Sequence, residues 1–436
     1  MKRKVSKRIL AALLACVLLS ALLSACGNSG TPASTGGGET PAASTDNGGT
    51  PAASTEDSNA APAQKYVIGV IPFADTAAEQ IEWNNYLQNY VAPQLNIDFK
   101  FIPAPGTDAD AAVKGVEELK LAGCQGILGI VDTPAAIEKA NELEMWYVRS
   151  GGLSTPTDYE LVKELPYYLG TMGPSLEDEY DAGYSATKYF IENGSKEILV
   201  YAALLGLYIP SEMHIQRFNG IRDALVEAGA VYTEPESGSV VTGPGVGTFE
   251  PGTSGLNITT IYGLPGFEVL DASFNERFTQ AVSGKAFDTV IMGAEGSQDV
   301  NTLLSGVGIT GAKMSEVGAF TPISQASFEA GILQYLKGKY PSSMGPAVAG
   351  LINAIDGHAD VVKNADGTGS RLQGPFWTAT SLDEFKEKVA LDDVTNPAFN
   401  KALIEKYIVR LNPEVTRESF AEFAGLGYDE LKAAHN

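Results

Sequence analysis

The residues able to do chemistry in this chain stand just past short apolar runs. Phe73 and Asp75 follow Tyr66–Ile71, Asp132 follows Gly126–Val131, Arg149 follows Met145–Val148, and Glu295 follows Thr289–Met292. Such runs read as strands of a parallel sheet, and in open parallel sheets small molecules sit beyond the carboxyl ends of the strands. A carboxylate there accepts hydroxyl protons, a guanidinium offers a planar fork of donors, and an aromatic ring covers an apolar face. That is the chemistry of holding a polar molecule. Nucleophilic catalysis needs a nucleophile with a base beside it, and the chain carries His214, His358 and His435 as its only histidines, with no P-loop, HExxH, GxSxG or paired CxxC. No catalytic residue, metal set or cofactor motif is assigned. Gly243-Pro-Gly-Val-Gly247 has glycines like a nucleotide loop, but Thr-Phe-Glu-Pro follows and does not open a helix, so it reads as loop.

Each candidate has a plainer reading beside it. Asp75 is a ligand contact or a solvated residue next to a Thr76 helix cap. Asp132 is free for a ligand because Thr133, followed by Pro134, already caps the next helix. Arg217 has Met213, His214, Gly220 and Ile221 three and four positions away, so it lacks an intrahelical carboxylate. A ligand, solvent or a partner on another element must take its charge. Trp83 shares a helical stripe with Leu87 and Tyr90 and reads as packing rather than ligand stacking.

The elements that must position these residues alternate short apolar runs with amphipathic stretches, which predicts α/β architecture with parallel sheets. Strands are expected at 66–71, 97–102, 126–131, 145–148, 168–171, 197–202, 289–292 and 317–320. The helices between them include one from a Thr76/Glu79 capping box through Tyr90, and one from Ser175 through Phe190. Residues 232–266 are Gly and Pro rich, with one β-like run at Ile258–Tyr262. Two helices, Ser324–Leu336 and Met344–Ile355, come next. The tail holds a strand-like Leu372–Thr378, a helix capped by Ser381 and Glu384, and helices from about Pro397 and Thr416. Trp377 reads as a plug on a lobe surface rather than part of a cleft.

The N-terminus carries an address. Lys2, Arg3, Lys4, Lys7 and Arg8 precede an apolar run, Ile9–Leu23, and Leu23-Ser24-Ala25-Cys26 closes it. The run, roughly 15 residues, is shorter than the ~20 of a spanning helix. The pattern matches the bacterial lipobox, which implies cleavage before Cys26 and lipid attachment to its sulfur, so residues 1–25 are a signal peptide. Residues 26–64 are rich in Gly, Ser, Thr, Ala and Pro, with Thr-Pro-Ala-Ala-Ser-Thr occurring twice. They cannot bury a core and read as a disordered linker reaching roughly 35 Å. Without the five leader bases, 25 Lys and Arg stand against 53 Asp and Glu, a net charge of −28 that argues against nucleic acid. Cys124 alone is left after Cys16 and Cys26, which excludes an internal disulfide and reads as a buried packing residue.

Several short segments carry a family likeness: Gly115-Val-Glu-Glu-Leu-Lys-Leu-Ala-Gly-Cys-Gln-Gly-Ile-Leu128, Asp181-Ala-Gly-Tyr-Ser-Ala-Thr187, Arg217-Phe-Asn-Gly-Ile-Arg-Asp-Ala-Leu225 and Asp288-Thr-Val-Ile-Met292. In this order the chain from Lys65 to Gly357 resembles the type I periplasmic binding fold, in the sugar-binding branch of the solute-binding proteins of ABC transporters. The resemblance implies two Rossmann-like lobes with parallel sheets joined by a hinge. Residues 65–172 plus about 331–357 would form the N-terminal lobe, 173–330 the C-terminal lobe, and 358–436 an extension packed on both. It implies ligand contacts in the loop of Phe73 and Asp75, a sugar-hydroxyl contact at Arg149, a second-lobe contact at Arg217, and a hinge-side glutamine at Gln334. Three family anchors differ, reading Val148, Ala294-Glu295 and Phe320-Thr321 here. Glu295 could replace some of the lost hydroxyl chemistry, or merely favour the start of a helix.

The implied function is that of a monomeric, lipid-anchored binding protein on the extracytoplasmic face of a cell membrane. It would capture a small polar ligand, a sugar first, and deliver it to an ABC permease without cofactor or catalysis. The alternatives are nucleosides or another small metabolite, or a sensor feeding a membrane signalling partner.

Overall fold

A computed structural model describes residues 64–106, 108–130, 133–202, 211–234, 247–263 and 274–435. The leader, Cys26 and the linker lie outside the described residues, as does Asp132. Two six-stranded sheets organise the body. The first has the order β2 (Ile97–Phe101), β1 (Tyr66–Ile71), β3 (Gly126–Gly129), β4 (Trp146–Ser150), β5 (Tyr168–Gly173), β13 (Ser370–Gln373), every pair parallel. The second runs β9 (Asn257–Tyr262), β6 (Glu197–Ala202), β10 (Thr289–Met292), β11 (Lys313–Ala319), β12 (Leu333–Lys339), β14 (Trp377–Ala379), parallel except where β14 pairs antiparallel with β12. Both sheets reverse their winding beside the first strand, between β1 and β3 and between β6 and β10, where such sheets open a crevice at their carboxyl ends.

Composition explains the layering. Parallel strands are covered by helices on both faces and so read as continuous apolar runs. Tyr66-Val-Ile-Gly-Val-Ile71 and Glu197-Ile-Leu-Val-Tyr-Ala202 are buried along nearly their whole length. The first sheet is flanked by α1 (Ala78–Asn85), which continues as a π-helical stretch Tyr86–Val91, then by α2 (Ala109–Leu121), α3 (Pro134–Glu142) and α4 (Pro156–Val162). The second carries α5 (Leu176–Glu192), α6 (Glu212–Glu227), α7 (Phe274–Val282), α8 (Ser297–Gly306) and α9 (Pro322–Glu329). Thr133 caps α3, and Ser175 with Asp178 forms a complete capping box on α5. Within the Gly/Pro-rich segment, β7 (Val231–Thr233) and β8 (Thr248–Glu250) pair antiparallel and β9 joins the second sheet.

Four expectations change. The Thr76/Glu79 capping box does not form: α1 starts after Ala77 with no side-chain cap, which leaves the Glu79 carboxylate available elsewhere. The helix expected over 324–336 ends at Glu329, because Gly331 takes φ +69 and turns the chain into β12. The return to the first lobe therefore comes after Lys339 rather than near 331, since β12 pairs with β11 in the second sheet. The strand expected over 372–378 is two strands in two sheets. Gln373 ends β13 in the first and Trp377 begins β14 in the second, so the tail ties the lobes together through their edges.

The chain thus passes between sheets at 173–175, 339–345 and 373–377. After the second passage α10 (Gly345–Ile355) lies on β3, β4 and β5. The tail helices α11 (Leu382–Leu391), α12 (Lys401–Glu405), α13 (Arg417–Ala424) and α14 (Tyr428–His435) follow. One apolar cluster runs from Val70 and Val148 in the first lobe through Trp377, Phe385 and Phe399 to Phe320 and Leu336 in the second. Among the described residues, no helix is long and apolar enough to cross a membrane.

Candidate functional site

The carboxyl ends of the strands in both lobes meet in one charged cluster. From the first lobe come Glu79 and Trp83, both on α1, the helix that follows β1. Lys339, the last residue of β12, places its Nζ 3.1 Å from Glu79 Oε1 and 5.2 Å from the centroid of the Trp83 ring. The contact with Glu79 has the distance of an ion pair without hydrogen-bond alignment, and Glu79 Oε1 is buried with no hydrogen-bond partner. Trp83 is itself held against the turn after β4, where Gly151 has φ +86 and any Cβ would come within 3.0 Å of the indole. Trp83 is buried, in line with its reading as packing, yet its ring also forms the floor beneath Lys339.

Glu295 enters from the second lobe. Its side chain lies across β11, where a Cβ on Gly318 would fall 2.1 Å from the Glu295 Cγ, so only glycine leaves it room. The alternative role at the helix start is taken by another residue: Glu316 Oε1 accepts from the backbone N–H of Gly296 at 3.0 Å and of Ser297 at 2.6 Å. Burial first, then the neighbouring Glu79 and Glu316 carboxylates, push the Glu295 carboxyl up to about 8, against the opposing pull of Lys339 and Arg217. His214, on α6, is held well below its ordinary value, at about 3, by burial and by the same two cations, and is therefore neutral near pH 7.

The other expected residues divide. Phe73 is exposed at the carboxyl end of β1, its backbone N–H held by Gln80 Oε1 at 3.1 Å. Asp75 is also exposed, but both its oxygens accept from the backbone N–H of Ala104, at 3.1 and 3.3 Å, tying the turn after β1 to the segment after β2. Arg149 sits at the end of β4 opposite Thr171, close to Gly152. Arg217 is corrected. It is 3% exposed, donates Nε to Glu179 Oε2 at 2.6 Å, and donates Nη1 to the carbonyls of Gly293 and Val317 at 3.1 and 3.2 Å. Its charge is spent joining α6 to α5 and to the ends of β10 and β11. Gln334 is corrected too: it lies near the amino end of β12, in a bulge between Leu333 and Tyr335, five residues from the cleft end. At ~3.3 Å per residue that is roughly 17 Å away.

Sequence reasoning missed Lys339 and Glu79 as cleft residues, and favoured packing over ligand stacking for Trp83. A signal for the first existed. Leu333-Gln-Tyr-Leu-Lys-Gly-Lys-Tyr340 has a glycine before it and a proline after it, which favours a short strand ending in lysine over a helix. Phe320 and Thr321, which replace a family anchor, are occupied: Phe320 is buried against Trp377 and Phe385, and Thr321 caps α9.

Cys124 is buried, as expected, and burial pushes its thiol up to about 11. It lines a cavity of 390 Å³ with Lys120, Gln125, Glu144 and Trp146. That cavity opens at the amino end of the first sheet, away from the crevice, and its Lys120 and Gln125 are already bonded to Leu143 O and the Val67 N–H.

No protein-family model matches the chain, and no curated protein matches it in sequence. Solved structures do match its shape. A periplasmic sugar-binding protein from Pseudomonas fluorescens superposes with a TM-score of 0.56 at 14% identity, over 82% of this chain and 100% of that one. An ABC transporter periplasmic solute-binding protein from Actinobacillus succinogenes with bound D-allose gives 0.54 at 14% identity, over 74% and 100%. A carbohydrate transporter from Acidothermus cellulolyticus in complex with myo-inositol gives 0.51 at 18%, over 75% and 98%. At these identities the likeness is one of fold: two lobes of the type I periplasmic-binding kind, as the resemblance implied.

Proposed function

We propose that this protein is a solute-binding protein that captures an uncharged, hydroxyl-rich ligand, a sugar or cyclic polyol, between its lobes and hands it to an ABC permease. One observation carries the reading: a cleft cluster in which Glu79 and Trp83 from one lobe meet Lys339 and Glu295 from the other. A ligand bridging such groups favours the closed arrangement by touching both lobes at once. The charges there are largely balanced. Lys339 faces Glu79, Arg217 is paired with Glu179, and Glu295 sits where its neutral form is favoured, so neither a cation nor an anion finds an unopposed partner. The solved structures of similar fold that hold D-allose and myo-inositol support the same ligand class.

Capture without turnover is part of the proposal, as is the anchor. Lipidation at Cys26 would hold the binding body on the outer face of a membrane, within reach of its permease, on the 26–64 tether. Intact-mass measurement of membrane-extracted protein tests this: a diacylglycerol adduct starting at Cys26 supports it, and an unmodified Cys26 rules it out.

The ligand reading is tested by thermal shift of the full chain against sugars, inositols, nucleosides and amino acids. A ligand at about a hundredfold its Kd adds about 2.7 kcal/mol. A shift with pentoses, hexoses or inositols supports the proposal, and a shift confined to nucleosides or amino acids replaces its ligand class. Consumption of the sugar would make the protein an enzyme instead.

A further inference from the structure

Glu295 is built into a place where a carboxylate has no obvious comfort. Its side chain is pressed over Gly318, and the helix start one residue later, which would ordinarily suit a negative charge, is already claimed by Glu316 through the Gly296 and Ser297 N–H groups. The charged groups around it come from four elements: Glu316 on β11, Glu79 on α1 across the cleft, Lys339 on β12 and Arg217 on α6. Both cations are turned to other carboxylates, Lys339 to Glu79 at 3.1 Å and Arg217 to Glu179 at 2.6 Å. His214, the remaining titratable group on α6 near these cations, is neutral and adds no positive charge. Opposite Glu295, Glu79 Oε1 is buried without a hydrogen bond, an acceptor left open in the same cleft.

Resting on the cleft as the ligand site, we infer that Glu295 keeps its proton there and donates it as a hydrogen bond to a ligand oxygen, while Glu79 from the other lobe accepts a ligand hydroxyl, so that capture is coupled to one proton. No bond is made or broken. This donor and acceptor on opposite lobes select a neutral molecule carrying oxygens on both faces. An ammonium group would be opposed by Lys339, and a carboxylate by Glu79. Once Glu295 ionises it offers only acceptors and repels Glu79 across the cleft, which opposes closure.

The test has two arms on the full chain. Without ligand, urea unfolding is followed from pH 5 to 9.5 for the wild type, Glu295→Gln and Glu79→Gln. The folded Glu295 carboxyl titrates near 8, above its ordinary 4.5, so its stabilising contribution is complete below the lower value and is lost as the pH rises through the higher one. The wild type should weaken across that window, Glu295→Gln should not, and Glu79→Gln should move the loss to lower pH. An identical profile in Glu295→Gln overturns the inference. With ligand, D-allose, D-arabinose and myo-inositol are titrated calorimetrically. Wild-type affinity should fall by up to about tenfold per pH unit above pH 8, the limit for one proton, and Glu295→Gln should bind without that slope. Binding that ignores pH in the wild type, or the same slope in Glu295→Gln, overturns the inference. If none of the three binds at any pH while the ligand-free profile behaves as stated, the protonated Glu295 stands and the sugar assignment falls.

Discussion

Lys339 and Tyr340 are consecutive residues at the end of β12, and they face two different worlds. On the cleft side Lys339 meets Glu79 and the Trp83 ring, with an acceptor on Glu79 left unfilled. On the other side Tyr340 stacks on Trp377 with centroids 3.7 Å apart, in an aromatic cluster continued by Phe399 and Tyr428. Each side holds a buried carboxyl pushed upward, but their surroundings differ. Asp392, behind the hinge, is raised to about 6 by burial even though it accepts from the backbone N–H groups of Ser342 and Ala398 at 3.0 and 2.9 Å. Behind the hinge the Asp392 carboxylate is tied to backbone on both sides of the passage between lobes. In front, the Glu79 Oε1 acceptor has no hydrogen-bond donor, which carries the cost of an unmet buried polar group.

The comparison can be broken most forcefully from behind. Trp377→Ala removes a fully buried ring from the point where the tail joins both lobes, and should cost about 3–5 kcal/mol in urea unfolding. A loss under ~1 kcal/mol would mean that the aromatic side does not carry stability. The next effect is one of pH. Because the Asp392 value of about 6 lies above the ordinary 3.8, its stabilising contribution is complete below the lower value and lost as pH rises through the higher. Between pH 4 and 7 the wild type should therefore weaken by more than Asp392→Asn does, and parallel curves would contradict it. In front, Lys339→Met leaves the Glu79 carboxylate without its counter-charge in a largely buried pair and should cost about 1–3 kcal/mol. The same variant should abolish the ligand-induced thermal shift, and intact binding would remove Lys339 from the site. Smallest of all, Gln334→Ala should leave binding unchanged and stability within about 0.5 kcal/mol. A loss of affinity there would reinstate Gln334 and undo the placement of β12.

The legible parts of this molecule are those whose causes are local. The strands at Tyr66–Ile71, Glu197–Ala202 and Thr289–Met292 form where apolar runs demand burial on both faces. Thr133, Ser175, Ser381 and Thr416 cap helices because a side-chain oxygen reaches an N–H within a few residues. The site was only half legible. Glu295 was recognisable as a polar residue past a strand, but the reason it is not a helix cap, Glu316, lies on another strand. Arg217 was correctly seen to lack a partner on its own helix, and its partner Glu179 stands 38 positions earlier.

What the sequence by itself determined is the alternation of strands and helices, the two-lobed class that follows from it, and the polarity of the loops past the strands. What only the tertiary structure decided is where each charge is neutralised. A strand pattern specifies which face a residue takes, through interactions a few residues long. Whether Arg217 is satisfied, whether Glu79 is left open and whether Lys339 reaches the cleft depend on the approach of elements far apart in the chain, and no local period encodes that distance.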